Sequence, residues 1–171
     1  MKTSTEAGKG TTFNNPIDLL LHDHEKGMVQ LSLLEQAAES IRVNGFSPEA
    51  FEQIAATIRW MNTEVRKHTE IEERLVFPLV ESHMKSLAEQ VRGEHRDLWD
   101  AFSDLLAAVK EVEEGRLHGT SIRNVVSIAE MIVELMRTHI RRENTILFPA
   151  IRQLLSNKER QDLLEAIQKA L

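Results

Sequence analysis

Neither cysteine nor tyrosine occurs anywhere in the 171 residues. Without cysteine there is no disulfide, no thiolate-held cluster and no cysteine nucleophile. Without tyrosine there is no phenolate ligand and no tyrosyl radical. Long apolar runs are missing too: none approaches the roughly 18–20 residues that a membrane-spanning helix needs. The N-terminal stretch lacks the apolar segment of a secretory signal, and its Gly, Thr and Lys content predicts a disordered tail over residues 1–14. Basic charge is in short supply: 21 Lys and Arg against 27 Asp and Glu leave a net charge of −6. With no basic stripe, nucleic acid is excluded as a partner. The expectation is a cytoplasmic chain with no membrane partner, a monomer or a homodimer.

Proline and glycine are sparse, four and seven, and they punctuate a helical pattern. Asn15-Pro16 opens a first helix, with proline at the tolerated first position. Its stripe runs through Ile17, Leu20, Leu21, His24, Met28, Leu31, Leu34, Ala38 and Ile41. Asn44-Gly45 stops it and Ser47-Pro48 starts the second helix. There Phe51, Ile54, Ile58, Met61, Val65, His68, Glu72, Leu75 and Leu79 alternate steps of three and four, the seam of packed helices. Pro78 is expected to kink or end that helix. A third stripe runs from Leu87 through Val91, His95, Leu98, Phe102, Leu105 and Val109 to Val112. Gly115–Gly119 breaks it, and Thr120 or Ser121 is expected to cap a fourth helix. That one reads Val125, Ile128, Ile132, Leu135, His139, Glu143, Ile146 and Ala150. Ser156 to Glu159 forms a capping box for a short last helix. No alternation of strand type is found. The reading is all-α: an antiparallel up-down-up-down four-helix bundle over residues 15–155, with a C-terminal helix over 156–171 packed on it.

The sequence also repeats. A shift of 71 positions carries His24 onto His95, His68 onto His139, Glu72 onto Glu143, Phe77 onto Phe148 and Pro78 onto Pro149. Both halves share the local pattern H-x3-E-x4-F-P. Two such hairpins should pack about a pseudo-two-fold axis, a closed bundle rather than an array. In an antiparallel hairpin, residues equidistant from the turn lie side by side. The midpoints of His24/His68, His68/His95 and His95/His139 all fall in the expected connections, so the four histidines share one layer. Glu72 and Glu143, four residues beyond their histidines, share the same face one turn along.

All six occupy seam positions where Leu or Ile would be expected, and no Lys or Arg stands in any of the four stripes. Buried carboxylates without a partner cost several kcal/mol. A metal centre supplies the missing positive charge and accepts the imidazole lone pairs. Six ligands on one ion would leave no open position. Two ions bridged by Glu72 and Glu143, on the order of 3.5–4 Å apart, would use His24, His68, Glu72, His95, His139 and Glu143. Mixed imidazole and carboxylate donors suit iron first, with manganese or zinc as substitutes.

The paired H-x3-E motifs with their F-P tails resemble a hemerythrin-like HHE cation-binding domain over roughly residues 17–155. The resemblance implies a non-haem di-iron centre in a four-helix bundle, as in proteins that bind oxygen, sense oxygen or iron, or answer nitric oxide and oxidative stress. Oxygen-carrying members have a further histidine one turn after the third-helix histidine, where this chain has Trp99. They also place an aspartate five residues after the last histidine, where this chain has Asn144 following Glu143. The four-histidine, two-glutamate set is similar to di-iron proteins linked to repair of iron centres, but their cysteine-containing segment has no counterpart in this cysteine-free sequence.

Three functions compete. The first is a di-iron protein that takes up oxygen, nitric oxide or peroxide for sensing or stress response, shielded by Leu21, Met28, Leu135 and Trp99. The second is a redox enzyme or iron-donating repair factor, which needs an external electron-donor protein. The third is iron storage or buffering. Trp99 reads as core, with gating of the site as the alternative. His22, His83 and His118 read as surface residues. Of Glu25, Glu64, Glu70, Glu73 and Glu94, one or two are expected to support the ligands. Phe77-Pro78 and Phe148-Pro149 are expected to close the bundle end without touching ligand.

Overall fold

The computed structural model describes residues 13–115 and 118–170. The expected tail over 1–14 lies almost wholly outside them. Among the described residues all regular structure is helical, with no strand. Helix α1 (Pro16–Asn44) begins where Asn15 Oδ1 accepts the Ile17 N–H at 2.9 Å. It ends at Gly45, whose positive φ of 85° lets its N–H reach the Ile41 carbonyl. Ser47 Oγ then accepts the Ala50 N–H and starts α2 (Pro48–Trp60). The run continues through a widened π-type turn, π1 (Met61–Val65), then α3 (Arg66–Ile71), π2 (Glu72–Val76) and α4 (Phe77–Glu113). After the next connection come α5 (Gly119–Arg142), π3 (Glu143–Leu147), α6 (Phe148–Leu154) and α7 (Asn157–Ala170). Helix α1 packs against α2 and α5, and α4 packs against α5. Helix α7 rests on α1 and π2 through Leu163 and Ile167. Its start is the expected capping box: Ser156 Oγ accepts the Glu159 N–H, and Glu159 Oε2 accepts the Ser156 N–H.

The widened turns correct the seam read from the sequence. In π2 the Phe77 N–H bonds the Glu72 carbonyl five residues back, and in π3 the Phe148 N–H bonds that of Glu143. One extra residue in a turn advances the inward face by one position. Val76 and Val80 are therefore fully buried where Leu75 and Leu79 were expected. Likewise Leu147 and Ile151 are buried, while Ile146 is 52% exposed and Ala150 only half-buried. The same widening accommodates Pro78, whose ring would otherwise meet the carbonyl four residues back. Pro78 does not end its helix. Helical conformation is interrupted later, at Met84 (φ −139°, ψ 43°), and contacts nest about that point: Glu81 with Arg92, Glu73 with His95.

Two further expectations shift. The fourth long helix starts at Gly119, with the Ile122 N–H on the His118 carbonyl and no side-chain cap from Thr120 or Ser121. In α1, Met28 is 38% exposed and Gly27 is buried in its place, because three-residue steps from His24 to Gly27 follow the interior more closely than a four-residue step.

Buried apolar side chains form two clusters. One gathers Leu31, Leu34, Ile54, Met61, Phe102, Leu105 and Ile132. The other gathers Ile17, Leu20, Val76, Phe77, Val91, Phe148 and Ile151. Along α1, α4 and α5–α6, His24, His95 and the His139–Glu143 turn fall between the segments that feed each cluster.

Candidate metal centre

The polar layer between the two clusters is made of the six residues singled out by the sequence. His24, His68, Glu72, His95, His139 and Glu143 are all buried, with both glutamates at 0% exposure. Their donor atoms converge as two overlapping sets: His24, His68, Glu72 and Glu143, and then Glu72, His95, His139 and Glu143. Within each set one donor atom per residue lies within 4.8 Å of all the others. Glu72 faces both sets, with Oε1 3.3 Å from His68 Nε2 and Oε2 3.4 Å from His95 Nε2. Glu143 does the same with one oxygen, Oε2 lying 3.1 Å from His24 Nε2 and 3.2 Å from His139 Nε2.

Three of the four imidazoles are oriented from behind by a hydrogen bond. His24 Nδ1 donates to Asn144 Oδ1 at 2.7 Å, His95 Nδ1 to Glu73 Oε1 at 2.8 Å, and His139 Nδ1 to Glu94 Oε2 at 3.3 Å. His68 Nδ1 lies 3.6 Å from Asp23 Oδ2. Amide and carboxylate oxygens can only accept, so the proton on His24, His95 and His139 sits on Nδ1. Nε2 of each then faces the centre. Glu73 and Glu94 are among the supporting acids expected from the sequence, while Asp23 and Asn144 are not. The signal was present: the 71-residue shift carries Asp23 onto Glu94 and Glu73 onto Asn144. The aromatic tails also reach the centre, contrary to expectation. Phe148 stacks on His24 with ring centroids 5.3 Å apart, and Phe77 on His95 at 5.6 Å. The extra residue of each π turn brings these rings inward beneath the imidazoles.

The electrostatics are those of a site short of positive charge. His24 Nε2 and His68 Nε2 stand 3.1 Å apart, where two lone pairs repel unless a proton or a cation lies between them. All four glutamate oxygens, His95 Nε2 and His68 Nδ1 make no hydrogen bond. Burial works against a charged His68, but the Glu72 carboxylate, Asp23 and Glu143 overcome it and push its pKa up to about 10. Burial likewise opposes a charged His139, and Glu143 with Glu72 outweighs it, so this pKa is raised too. Burial would raise Glu72, yet His68 and His95 hold it well below the usual carboxylate range. Glu143, pushed up by burial and by Glu72, is brought down by His139 and His24. In metal-free protein, protons on His68 and His139 would supply positive charge that a bound cation otherwise brings. The donor set of four imidazole nitrogens and two carboxylates, held in register and unsatisfied, fits iron, manganese or zinc.

A cavity of about 30 Å³ adjoins the His24–His68 side, walled by Gly27, Trp60, Val65, Met136 and Ile140. That is room for a diatomic molecule or a water. These residues, rather than Leu21, Met28, Leu135 and Trp99, shield the layer there. Trp99 is not in that wall: it lies edge-on to Phe102 and beneath the Arg66 guanidinium at 4.4 Å, in a groove shared with His95. His22 and the exposed His83 and His118 stand outside the centre, as expected.

A family model described as the hemerythrin HHE cation binding domain matches residues 15–151. The iron-sulfur cluster repair protein YtfE of Yersinia pseudotuberculosis serotype IB is 30% identical over 138 residues, which cover 75% of this chain and 59% of that protein. The protein of the same name from Yersinia pestis strain Pestoides F matches to the same extent. The chain therefore spans about 59% of the length of these curated relatives.

Proposed function

The chain belongs to the hemerythrin HHE cation-binding domain family, and from that premise we propose that it is a non-haem di-iron protein that takes up oxygen, nitric oxide or peroxide in a sensing or stress-response role. In this reading His24 and His68 hold one ion and His95 and His139 the other, with Glu72 and Glu143 shared between them. The long helices form an up-down-up-down bundle over residues 15–155 with a pseudo-two-fold axis, and the last helix is an appendage. The protein works in the cytoplasm, as a monomer or homodimer.

The observation that carries the proposal is the convergence of four imidazoles and two fully buried carboxylates, with no Lys or Arg paired to either glutamate among the described residues. Bound iron would supply open coordination positions and electrons for redox chemistry. The protein's own part is to fix the imidazole tautomers through Asn144, Glu73 and Glu94, and to keep bulk water from the layer with Phe77, Phe148 and the two apolar clusters. The cavity beside Gly27 admits something the size of a diatomic molecule. Apolar side chains make up much of its wall, with Asp23, Lys26 and Glu64 also lining it, and its size suits a small ligand.

The test is metal analysis of protein made in iron-replete cells, with absorption spectra of the reduced form before and after oxygen or nitric oxide. Two irons per chain and a ligand-dependent spectrum are expected. Absence of bound metal would sink the reading. Metal that exchanges freely with no response to either gas would leave storage instead.

The name of the curated relatives favours a second reading, an iron-donating repair factor served by an external electron donor. That role would show as transfer of iron from the loaded chain to an apo iron-sulfur protein faster than to a chelator. Equal rates would exclude it.

A further inference from the structure

The four outer partners of the histidines are not equal in charge. The 71-residue shift makes Asp23 the counterpart of Glu94, each behind the second histidine of its set. Each of these acids also has a cation: Lys26 Nζ is 3.3 Å from Asp23, and Arg142 pairs with Glu94. Those two corners carry the same charges, although His139 Nδ1 is hydrogen-bonded to Glu94 and His68 Nδ1 stands 3.6 Å from Asp23 without a hydrogen bond. The remaining two do not. His95 Nδ1 meets the Glu73 carboxylate at 2.8 Å, whereas His24 Nδ1 meets the Asn144 amide at 2.7 Å. Position, distance and orientation are alike, so the difference is one negative charge.

We propose that this difference makes the two metal positions unequal, so that the His95–His139 position fills first and the His24–His68 position is the exchangeable one. Glu73 and Asn144 are the positioning residues that set the order. The proposal rests on the di-iron reading given above. The chemistry is that of an imidazole whose outer N–H faces a carboxylate. It pushes more electron density to the metal-facing nitrogen than one whose N–H faces a neutral amide, and loss of such a partner typically costs 10–100-fold in metal affinity. Arg66 and Arg96 line the same groove as Glu73, as do the acids Glu70 and Asp100, and the short hydrogen bond from His95 to Glu73 is direct. Both Glu73 and Asn144 are exposed on their outer sides, so either can be exchanged without opening a core.

The experiment is an anaerobic titration of metal-free full-length protein with ferrous ion against a competing chelator, which reads two binding constants. The wild-type chain should show two steps separated by about tenfold or more. Glu73→Gln should weaken the tighter step and bring the two together. Asn144→Glu, which copies the Glu-Glu of the first hairpin into the second, should tighten the weaker step and leave the other in place. Two equal steps in the wild type overturn the inference and leave the di-iron reading standing. So do two steps that neither substitution moves. No binding at all overturns the di-iron reading itself. Because Asn144→Glu adds a charge at an exposed position, a failure of Glu73→Gln to fold does not spare the proposal.

Discussion

Metal-free protein is expected to lose stability as the pH rises from about 6.5 towards 10, and metal-loaded protein to do the opposite. The metal-free centre is held by protons. Against the penalty of burial, the charges of Glu72, Asp23 and Glu143 raise His68 from 6.5 to about 10. A group whose pKa is higher in the folded state contributes stability in full below its unfolded pKa. That contribution fades as pH climbs through the folded value. A shift of this size corresponds to a term on the order of 4–5 kcal/mol, lost at about 1.4 kcal/mol per pH unit. His139, raised for a similar reason by Glu143 and Glu72 against burial, adds in the same direction. Glu72 and Glu143, held low by the histidines despite burial, set the other limb: their contribution is present above about 4.5 and disappears as pH falls below it. A bound cation must displace the Nε2 protons, so metal affinity and metal-linked stability increase with pH. The assay is urea denaturation at pH 6.5, 8 and 9.5, with chelator and with zinc. For a chain of this size each kcal/mol moves the melting temperature by about 2–4 °C, so a thermal scan would read the same trend. A chelator-treated protein whose stability is flat across this window would refute the claim that His68 is protonated when no metal is bound.

Three other outcomes follow from the geometry. His68→Ala and His139→Ala should each lower metal content per chain, and unchanged metal content would remove these residues from the site. Gly27→Ala should raise helix stability by up to about 1 kcal/mol, since a Cβ there meets Ile140 and Trp60 only at 3.7 Å; Gly27→Leu should fill the cavity and slow nitric oxide binding to the reduced protein in stopped flow, with metal content retained. Phe148→Ala should cost about 3–5 kcal/mol, and a loss under 1 kcal/mol by denaturant unfolding would show that its stacking on His24 is incidental.

The six candidate ligands were legible in the sequence because they violate it. Polar side chains at six seam positions stand out against a period that demands Leu or Ile, and the 71-residue shift pairs them. The starts of α1 and α2 were equally plain, since Asn15-Pro16 and Ser47-Pro48 announce themselves chemically. The π turns left no such mark. Glu72–Val76 and Glu143–Leu147 hold ordinary helix formers, and only a hydrogen bond reaching five residues back distinguishes the widened turn. Missing it misplaced Leu75, Leu79 and Ile146, and hid the inward turn of Phe77 and Phe148. Asp23 and Asn144 were passed over for another reason. A polar residue beside a ligand looks like the solvated face of a helix until the opposite chain is seen to present its imidazole there.

The division of the apolar interior has a consequence for how the molecule comes apart. Two separate oil-filled compartments, joined through a polar slab, need not melt together. With a cation in the slab the compartments are riveted into one cooperative unit. Without it, amide exchange should resolve two blocks of protection, one through Leu31–Ile41 and Leu98–Val112, the other through Val76–Val91 and Leu147–Ile151.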